Sequence, residues 1–469
     1  MSPLWINGER RKWQTEIMKE EKNDWQKSSE FAEYCELLKF ESIGVNRQNL
    51  RSCAACATWL KKWLEKIGAK AELVTEAFSP PILLAEIEGS LDYPTVLFYG
   101  HYDVQPPDPL DEWLTPAFSP TVKDERVYAR GAQDDKGQLF AFLCGVREFL
   151  EERDRSNRPT IKIVLEGQEE SGSEALAVLA PKMRSRLAAD VMLVCDSSAA
   201  AGLRPAIEAG LRGINHFTVK LTAASRDLHS GEYGGIAPNA AEGMARLISS
   251  LHAPDGSIAV KGFCDGIESP SAEELNLAQL SAPTAEEYEN DIGCEPCGGQ
   301  WNKSIVMRNS FEPTIEINGI HSGYGAEGSK TVIPCEAIAK ISTRLVPGQN
   351  PKAAFEAVKA HLEEHCPKGM KLEVSELTGL ASGFRLPLNS PLFCLAEEVL
   401  REMDPRGAVY HWNGASIPIV STLREISGAA PLLVGWGQSE DRIHSPNESF
   451  SFIQFAKAKE WAKRILKAL

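Results

Sequence analysis

The chain has 469 residues, too many for a single simple core, so its length predicts roughly two to three domains. Its composition is that of an ordinary globular protein, with 43% hydrophobic and 25% charged residues. The net charge of −15 argues against a nucleic-acid partner, which would require a basic surface.

The cysteines and the apolar runs bear on where the protein works. Eleven cysteines, an odd number, are scattered without the spacing of a disulfide framework, which favours reduced thiols. Residues 1–26 are charged throughout and lack the apolar core of a secretory signal. No run reaches the roughly 18 apolar residues that a membrane span needs. We therefore expect a cytoplasmic protein with no membrane partner.

The first half of the chain alternates between helices and strands. Apolar spacing of three and four residues predicts two helices within 31–67, which Gly68 ends, and apolar runs predict strands at 71–78 and 81–89. Alternation through Ser197 predicts a mainly parallel sheet with helices on both faces. A further helix follows GAQDDKG (131–137), and its apolar face consists of Leu139, Phe140, Leu143, Val146, Phe149 and Leu150.

The pattern changes after Arg212. Alternating runs predict strands at 214–222, 314–320, 340–346 and 371–377, and an amphipathic helix spans 351–365. Residues 252–312 are rich in Pro, Gly, Ser and acidic side chains. We therefore predict a discontinuous α/β domain of residues 1–212 and 385–469, interrupted by a smaller α+β domain of residues 213–384. The last helix would bury Phe452, Phe455, Trp461, Ile465 and Leu466.

Four apolar, strand-like runs each lead to residues that can bind a metal. Ligands in open α/β sheets bind outside the carboxyl ends of the strands, so these residues would meet at one edge. Imidazoles and carboxylates gathered there predict a hydrolytic site for two metal ions. The residues are His101 and Asp103, Glu169 and Glu170, Asp196, and His444, with Asp134 and Asp135 in the GAQDDKG segment.

Each of these signals has an ordinary alternative. His101 could be a core histidine, Asp134 and Asp135 a helix cap that offsets the helix dipole, and the two glutamates a solvated pair. Their occurrence together favours the metal site. The period of two in a strand places Asp103 beside His101, where it can orient the imidazole. Of the two glutamates, one can bind metal while the other moves a proton.

Two other motifs, one typical of dinucleotide binding and one typical of structural zinc, are weaker evidence for a cofactor site than the residues above. Residues 323–328 spell GxGxxG, but they lead into the β-branched KTVIP instead of a helix, so no dinucleotide-dependent oxidoreductase is predicted. Cys294-x-x-Cys297 lacks a second pair at suitable spacing and gives little support to a structural zinc site.

As a set, the motifs resemble the co-catalytic metal hydrolases that include aminoacylase, glutamate carboxypeptidase and succinyl-diaminopimelate desuccinylase. Within that group they look most like the cytosolic nonspecific dipeptidase and carnosine dipeptidase branch. The resemblance runs from about Phe31 to the carboxyl terminus. The segments that carry it are YGHYDVQP, YARGAQDDKG, EGQEESGSE, GLRGI, DLHSGEYGG, SKTVIP, TRLVPGQ and GASIPI.

The resemblance implies a role for each residue of the metal site. Asp134 would bridge two divalent ions, Zn²⁺ or Mn²⁺, and its peptide bond to Asp135 would be cis. His101 and Asp196 would complete one ion's ligands, and Glu170 and His444 the other's. Glu169 would be the general base for a hydroxide bridging the ions, and Asp103 would orient His101.

The resemblance also implies a substrate site and a homodimer. Arg344 and Ser416 would bind the terminal carboxylate of a small peptide, and His229 of the inserted lid and dimerisation domain would reach the partner subunit's metal site. Carboxypeptidases and deacylases of the group usually carry Glu where this chain has Asp196, so dipeptide hydrolysis is favoured. An N-acyl amino acid deacylase of the acetylornithine or succinyl-diaminopimelate type, a carboxypeptidase and a catalytically silent peptide- or metal-binding relative are the alternatives. The preferred side chains and the metal stay open.

Overall fold

The computed structural model describes residues 25–469, which form two compact units. The first contains the described residues up to Ile207 with Asn389–Val409 and Leu423–Leu469, and the second contains Glu208–Leu388 and Tyr410–Thr422. Most of the N-terminal stretch in which no secretory signal is predicted, residues 1–24, lies outside the described residues. Among the helices described, none combines the length and apolar character needed to cross a membrane.

Strands are numbered along the whole chain, and the first unit holds β1 to β7 with β17 and β18. Six of them, in the order β1-β2-β6-β3-β7-β17, belong to its main sheet, and β18, β5 and β4 form a small antiparallel sheet. Their bounds are β1 (Lys70–Val74), β2 (Ile82–Ile87), β3 (Val96–His101), β4 (Thr121–Lys123), β5 (Arg126–Tyr128), β6 (Ile161–Glu166), β7 (Val191–Val194), β17 (Ala430–Leu433) and β18 (Ser449–Ser451).

The main sheet is parallel around β3. This strand pairs in parallel with β6 and β7, and β7 pairs in parallel with β17, whereas β2 runs antiparallel to both β1 and β6. All six residues of β3 are buried, as expected for a central strand that reads as one continuous apolar run. The prediction of an α/β fold with a mainly parallel sheet is confirmed.

Helices, also numbered along the chain, carry the apolar stripes that the sequence predicts. The buried side chains of α3 (Lys136–Glu152) include Leu139, Phe140, Leu143, Val146 and Phe149, whereas Leu150, also predicted on this face, is only half-buried. The five side chains predicted to face inward from the last helix are buried in α13. The helices of the first unit are α1 (Ser29–Leu38), α2 (Leu50–Lys66), α3 (Lys136–Glu152), α4 (Glu174–Leu179), α5 (Arg184–Leu187), α11 (Pro391–Met403) and α13 (Phe452–Ala468).

Helices α3 and α13 approach each other closely at Gly145. A Cβ atom built on Gly145 would lie 2.4 Å from the Lys459 carbonyl oxygen and 2.6 Å from the Ala462 Cβ. Phe140 of α3 and Phe455 of α13 pack nearby, with ring centroids 6.3 Å apart. Glycine is therefore required at position 145 by the helix contact, although it is a poor helix former.

The second unit is built on a four-stranded antiparallel sheet with the order β11-β13-β9-β14. Apart from this sheet, β10 pairs with β12, and β8 pairs with β15 and β16. The strands are β8 (Ala206–Leu211), β9 (Gly213–Thr222), β10 (Leu228–His229), β11 (Thr314–Ser322), β12 (Val332–Ile333), β13 (Glu336–Leu345), β14 (Lys371–Ala381), β15 (Phe384–Arg385) and β16 (Val409–Asn413).

One face of this antiparallel sheet carries a single hydrophobic core. Phe217, Val219 and Leu221 alternate along β9 and are buried together with Met244 and Val358. The helices of this part of the chain are α6 (Ser230–Tyr233), α7 (Ala240–Ser249), α8 (Ala272–Ser281), α9 (Ala285–Ile292), α10 (Pro351–Glu364) and α12 (Pro418–Ser427).

Helices α8 and α9 lie in the 252–312 stretch, where the composition alone predicted neither. Each begins at a capping box, in which a hydroxyl and a glutamate three residues later bond to each other's backbone N–H. The pairs are Ser271 with Glu274 and Thr284 with Glu287. The S-x-x-E and T-x-x-E spacing was therefore the available signal for both helices.

Replacing Gly145 with alanine tests the contact between α3 and α13. Alanine normally favours a helix by about 1 kcal/mol over glycine, but the added Cβ here collides with backbone. We expect Gly145→Ala to lower the free energy of unfolding of the first unit by about 1–3 kcal/mol, measured by urea denaturation. Gly298→Ala, whose Cβ would meet no atom within 4 Å, should leave this transition unchanged. Stabilisation by Gly145→Ala would contradict the packing.

Candidate metal centre

Parallel strand pairing brings the predicted ligands to one edge of the sheet. His101 is the last residue of β3 and lies opposite Glu166, the last residue of β6, while Tyr99 lies opposite Val194, the last residue of β7. The residues that follow β6 and β7 therefore emerge beside His101. They include Glu169 and Glu170, in a short 3-10 turn, and Asp196.

His101, Asp134 and Asp196 form a first group. The His101 Nε2 atom lies 3.2 Å from Asp134 Oδ1 and 3.8 Å from Asp196 Oδ2. The imidazole is fully buried, and its Nε2 has no hydrogen-bond partner. A buried nitrogen that faces two carboxylates without bonding to either has the surroundings of a metal ligand.

Asp134, Glu170 and His444 form a second group. The His444 Nε2 atom lies 2.9 Å from Asp134 Oδ2 and 3.2 Å from Glu170 Oε2. In each group the three potential ligand atoms lie within 4.8 Å of one another. Asp134 presents one oxygen to each histidine, so it is common to both groups, as a bridging carboxylate would be.

The crowding of carboxylates shifts the titration of their neighbours. Burial and the nearby Asp134 raise the pKa of Asp196 to about 7. Hydrogen bonds to Asp134 and Glu170 raise the pKa of His444 to about 10, because the charged imidazole is stabilised by two carboxylates. The cluster thus favours a bound cation. Two imidazoles with carboxylates are ligands that suit either Zn²⁺ or Mn²⁺, so the residues present fit a pair of such ions.

Asp103 contacts both the His101 imidazole and the turn that carries Glu169 and Glu170. One of its oxygens lies 3.3 Å from the His101 Nδ1 atom, whose other contact is the Asp103 carbonyl oxygen at 3.1 Å. The carboxylate also accepts the backbone N–H groups of Glu169 and Glu170, each at 3.2 Å. Asp103 therefore fixes the orientation of the imidazole and also the turn that carries both glutamates.

Glu169 belongs to neither group of potential ligands. Burial, reinforced by the charge of Asp196, raises its pKa well above the ordinary value for a glutamate, although His101 opposes the shift. A raised pKa suits a carboxylate that takes up a proton during a reaction.

The turn before α3 has a special backbone. The peptide bond between Asp134 and Asp135 is cis, as the resemblance implied. Asp135 is fully buried, and its Oδ2 accepts the backbone N–H of His101 at 3.4 Å. It contributes to neither group of potential ligands.

One residue of this region was not singled out from the sequence. Glu448 is fully buried and accepts hydrogen bonds from the segment that carries Asp134. A glutamate in the polar run SPNES gives no sign of burial, and its partners lie more than 300 residues away along the chain. Only the fold reveals it.

The second unit brings together the residues expected to bind a carboxylate. The Arg344 Nη1 atom donates to Ser416 Oγ at 2.8 Å. Arg212, which the sequence did not single out, donates from Nε to the Gly414 carbonyl oxygen at 2.8 Å, and its backbone N–H donates to the Ala415 carbonyl oxygen at 3.1 Å. Arg212 therefore holds the loop that presents Ser416.

His229 and the two further motifs also lie in the second unit. His229 is exposed at the end of β10, where its Nδ1 accepts the Gly231 N–H at 3.1 Å. The GxGxxG segment leads into strand β12 and opens no helix. Cys294 and Cys297 are exposed, and all eleven cysteines are free thiols.

The chain is similar to several known peptidases. A human Beta-Ala-His dipeptidase is 34% identical over 379 residues, 79% of this chain and 74% of its own. A Cys-Gly metallodipeptidase of Schizosaccharomyces pombe is 28% identical over 81% of this chain and 80% of its own. The crystal structure of an M20 family metallo-carboxypeptidase from Sulfolobus solfataricus superposes with a TM-score of 0.83 at 29% identity, covering 94% of this chain and 99% of that one. The sequence profile described as Peptidase family M20/M25/M40 matches residues 97–468, and the chain belongs to that family.

Proposed function

We propose that this protein is a dinuclear metallo-dipeptidase, which hydrolyses dipeptides or short peptides with a free C-terminal carboxylate. The observation that carries the proposal is the shared Asp134, with one carboxylate oxygen 3.2 Å from His101 and the other 2.9 Å from His444. We propose two divalent ions per subunit, Zn²⁺ or Mn²⁺, and a cytoplasmic location, which the free thiols support.

In this proposal five side chains bind the metal and a sixth moves protons. His101, Asp134 and Asp196 would hold one ion, and Asp134, Glu170 and His444 would hold the other. When bound, the ions would lower the pKa of a coordinated water to roughly 7 and polarise the scissile carbonyl. Glu169 takes a proton from the attacking water and gives it to the amine that leaves when the C–N bond breaks.

We propose that Arg344 and Ser416 bind the terminal carboxylate of the substrate. A guanidinium can bond both oxygens of a carboxylate, and its present bond to Ser416 holds the two groups side by side. Arg212 holds the loop that carries Ser416 through its hydrogen bond to the Gly414 carbonyl oxygen. Such a site would require a free carboxylate but would not select the side chains of the peptide.

A carboxypeptidase is the second candidate, because the superposed structure from Sulfolobus solfataricus is named as one. Aspartate at position 196 favours the dipeptidase, since the resemblance associates glutamate there with carboxypeptidases and deacylases. The two candidates share the metal site and the carboxylate-binding residues, and they differ in the length of peptide accepted.

A substrate panel with and without metal tests the proposal directly. The full chain, stripped with EDTA and reloaded with Zn²⁺ or Mn²⁺, should hydrolyse β-alanyl-histidine or cysteinylglycine and should be inactive while stripped. Dipeptide amides should be poor substrates, because they lack the carboxylate. Faster release of the C-terminal residue from longer peptides would favour the carboxypeptidase, and turnover limited to N-acetyl or N-succinyl amino acids would favour a deacylase.

Glu169→Gln tests the general base. The amide cannot accept the proton, so we expect kcat to fall on the order of 10²- to 10⁴-fold, while elemental analysis shows metal content unchanged. Glu174→Gln, at an exposed position of α4, is the matched control and should retain full activity. Loss of metal from Glu169→Gln would contradict its assignment as the base and indicate a ligand.

Mixing two inactive variants tests the proposed homodimer, in which His229 reaches the partner subunit's site. Glu169→Ala and His229→Ala would each be inactive, but a mixed dimer would contain one complete site. Equal mixing after subunit exchange should restore roughly a quarter of the unmutated activity, because half of the dimers are mixed and each has one working site. No recovery in mixed dimers verified by mass spectrometry would place each complete site within one subunit.

A further inference from the structure

Two of the five proposed ligands lie on segments that the main sheet does not hold. His101 ends a strand of that sheet, and Asp196 and Glu170 lie shortly beyond two others. Asp134 lies in the turn of residues 130–135, and His444 lies in the loop of residues 442–448. A site for two metal ions needs both segments in the correct relative position, because the Asp134 carboxylate has to face His101 and His444 at once.

The loop that carries His444 has an unfavourable backbone. Arg442, His444 and Asn447 have φ values of +60°, +57° and +67°, in the left-handed region that residues other than glycine seldom adopt. Three such residues within six positions persist only where the surroundings hold them. The contacts that tie this loop to the turn of residues 130–135 therefore decide where the His444 imidazole lies relative to Asp134.

Glu448 is the contact that joins the two segments. Its Oε1 accepts the backbone N–H groups of Gln133 at 2.9 Å and of Asp134 itself at 3.0 Å. Its Oε2 accepts the Gly131 N–H at 2.8 Å and the Arg130 Nη1 at 2.9 Å. One buried carboxylate thus satisfies four donors of the turn.

The backbone of Glu448 is held as firmly as its side chain. Ala129 N–H donates to the Glu448 carbonyl oxygen at 3.1 Å, and the next residue, Ser449, pairs with Tyr128 between β18 and β5. Arg130 is itself fixed, because its Nη2 donates to the Pro106 carbonyl oxygen at 3.1 Å and its guanidinium lies 5.4 Å from the ring centroid of Trp113.

From this geometry we infer that Glu448 is a positioning residue for the proposed metal site: it holds the backbone of Asp134 and the loop that carries His444 next to each other. Glu448 binds no metal itself. It acts through the backbone of the turn that carries Asp134 and through the backbone of the loop that carries His444. The inference rests on the proposed metal site but not on the identity of the substrate.

Both oxygens of Glu448 are fully used, which makes glutamine an informative substitution. Glutamine has nearly the same shape, but one oxygen becomes an NH₂ group that can only donate. Whichever end carries the NH₂ group, two donors of the turn then lose their acceptor. A residue that merely filled space would tolerate this change.

The test measures metal binding in the full chain without substrate. Metal-stripped Glu448→Gln is titrated with Mn²⁺, free Mn²⁺ is followed by electron paramagnetic resonance, and Zn²⁺ is titrated in parallel against a chromophoric chelator. We expect the dissociation constant to rise tenfold to a hundredfold, the usual effect of losing a partner that orients ligands. At saturating metal, kcat should largely recover with KM for the peptide unchanged.

Asn447→Asp is the matched control, an exchange of amide and carboxylate at the neighbouring position. Asn447 donates to the Glu112 carbonyl oxygen at 2.9 Å and accepts the Leu114 N–H at 2.7 Å, so it tethers the same loop to a segment without ligands. Its metal affinity should not fall. A fall equal to that of Glu448→Gln would show general loosening of the loop and overturn the inference.

A milder variant keeps the test decisive if Glu448→Gln does not fold, as judged by circular dichroism. Glu448→Asp retains the charge but is one methylene shorter, so it cannot reach both pairs of donors, and its metal affinity should also fall. Unchanged affinity in a folded variant would overturn the inference. The proposed function is tested separately, by the peptide turnover of the unmutated chain. If that chain hydrolyses no peptide but the Glu448 variants still bind metal more weakly than it does, Glu448 remains a positioning residue and only the proposed function is rejected.

Discussion

The structure of the first unit depends on placing several carboxylates within a few ångströms of one another in a buried position. Asp103, Asp134, Glu170 and Asp196 converge there, with Glu169 near enough for their charges to affect its pKa, and repulsion between like charges in a poorly solvated place would drive them apart. Imidazoles and backbone N–H groups offset part of this repulsion: Asp134 lies between two histidines, and Asp103 accepts two amides. The repulsion that these groups do not offset would be relieved by bound cations. This explains why the cluster of oriented carboxylates suits a pair of metal ions.

The sequence predicted the residues of this cluster because strand ends are easy to recognise. A buried parallel strand reads as an unbroken apolar run, so a histidine or aspartate that ends it is conspicuous, as at His101 and Asp196. Parallel pairing then places those ends together without further information. Glu448 could not be found in this way. Its burial depends on β18 pairing with β5, a contact between segments more than 300 residues apart that no local pattern encodes.

Helices were predictable where an apolar face is long and were missed where capping alone marks them. The buried faces of α3 and α13 repeat over 17 residues each, and both were expected. Helices α8 and α9 have few buried side chains, so their composition resembles that of a loop, and only the capping boxes at Ser271 and Thr284 mark their starts. In the second unit, the bond between Arg344 and Ser416 joins residues that the family resemblance had paired, whereas Arg212 lies in the GLRGI segment that carries the resemblance but was assigned no role there.

The three-segment construction of the first unit sets the order in which its parts emerge from the ribosome. His101, Asp134, Glu170 and Asp196 are all synthesised before the second unit, whereas β17, His444 and α13 follow it. Through the translation of about half the chain, the nascent first unit would therefore carry an incomplete cluster of acidic groups, without the second histidine or Glu448. The surface of α3 at Gly145 would also remain uncovered until α13 is synthesised. The second group of potential ligands is therefore completed only when His444 is synthesised, whereas His101, Asp134 and Asp196 of the first group are all present before the second unit is translated.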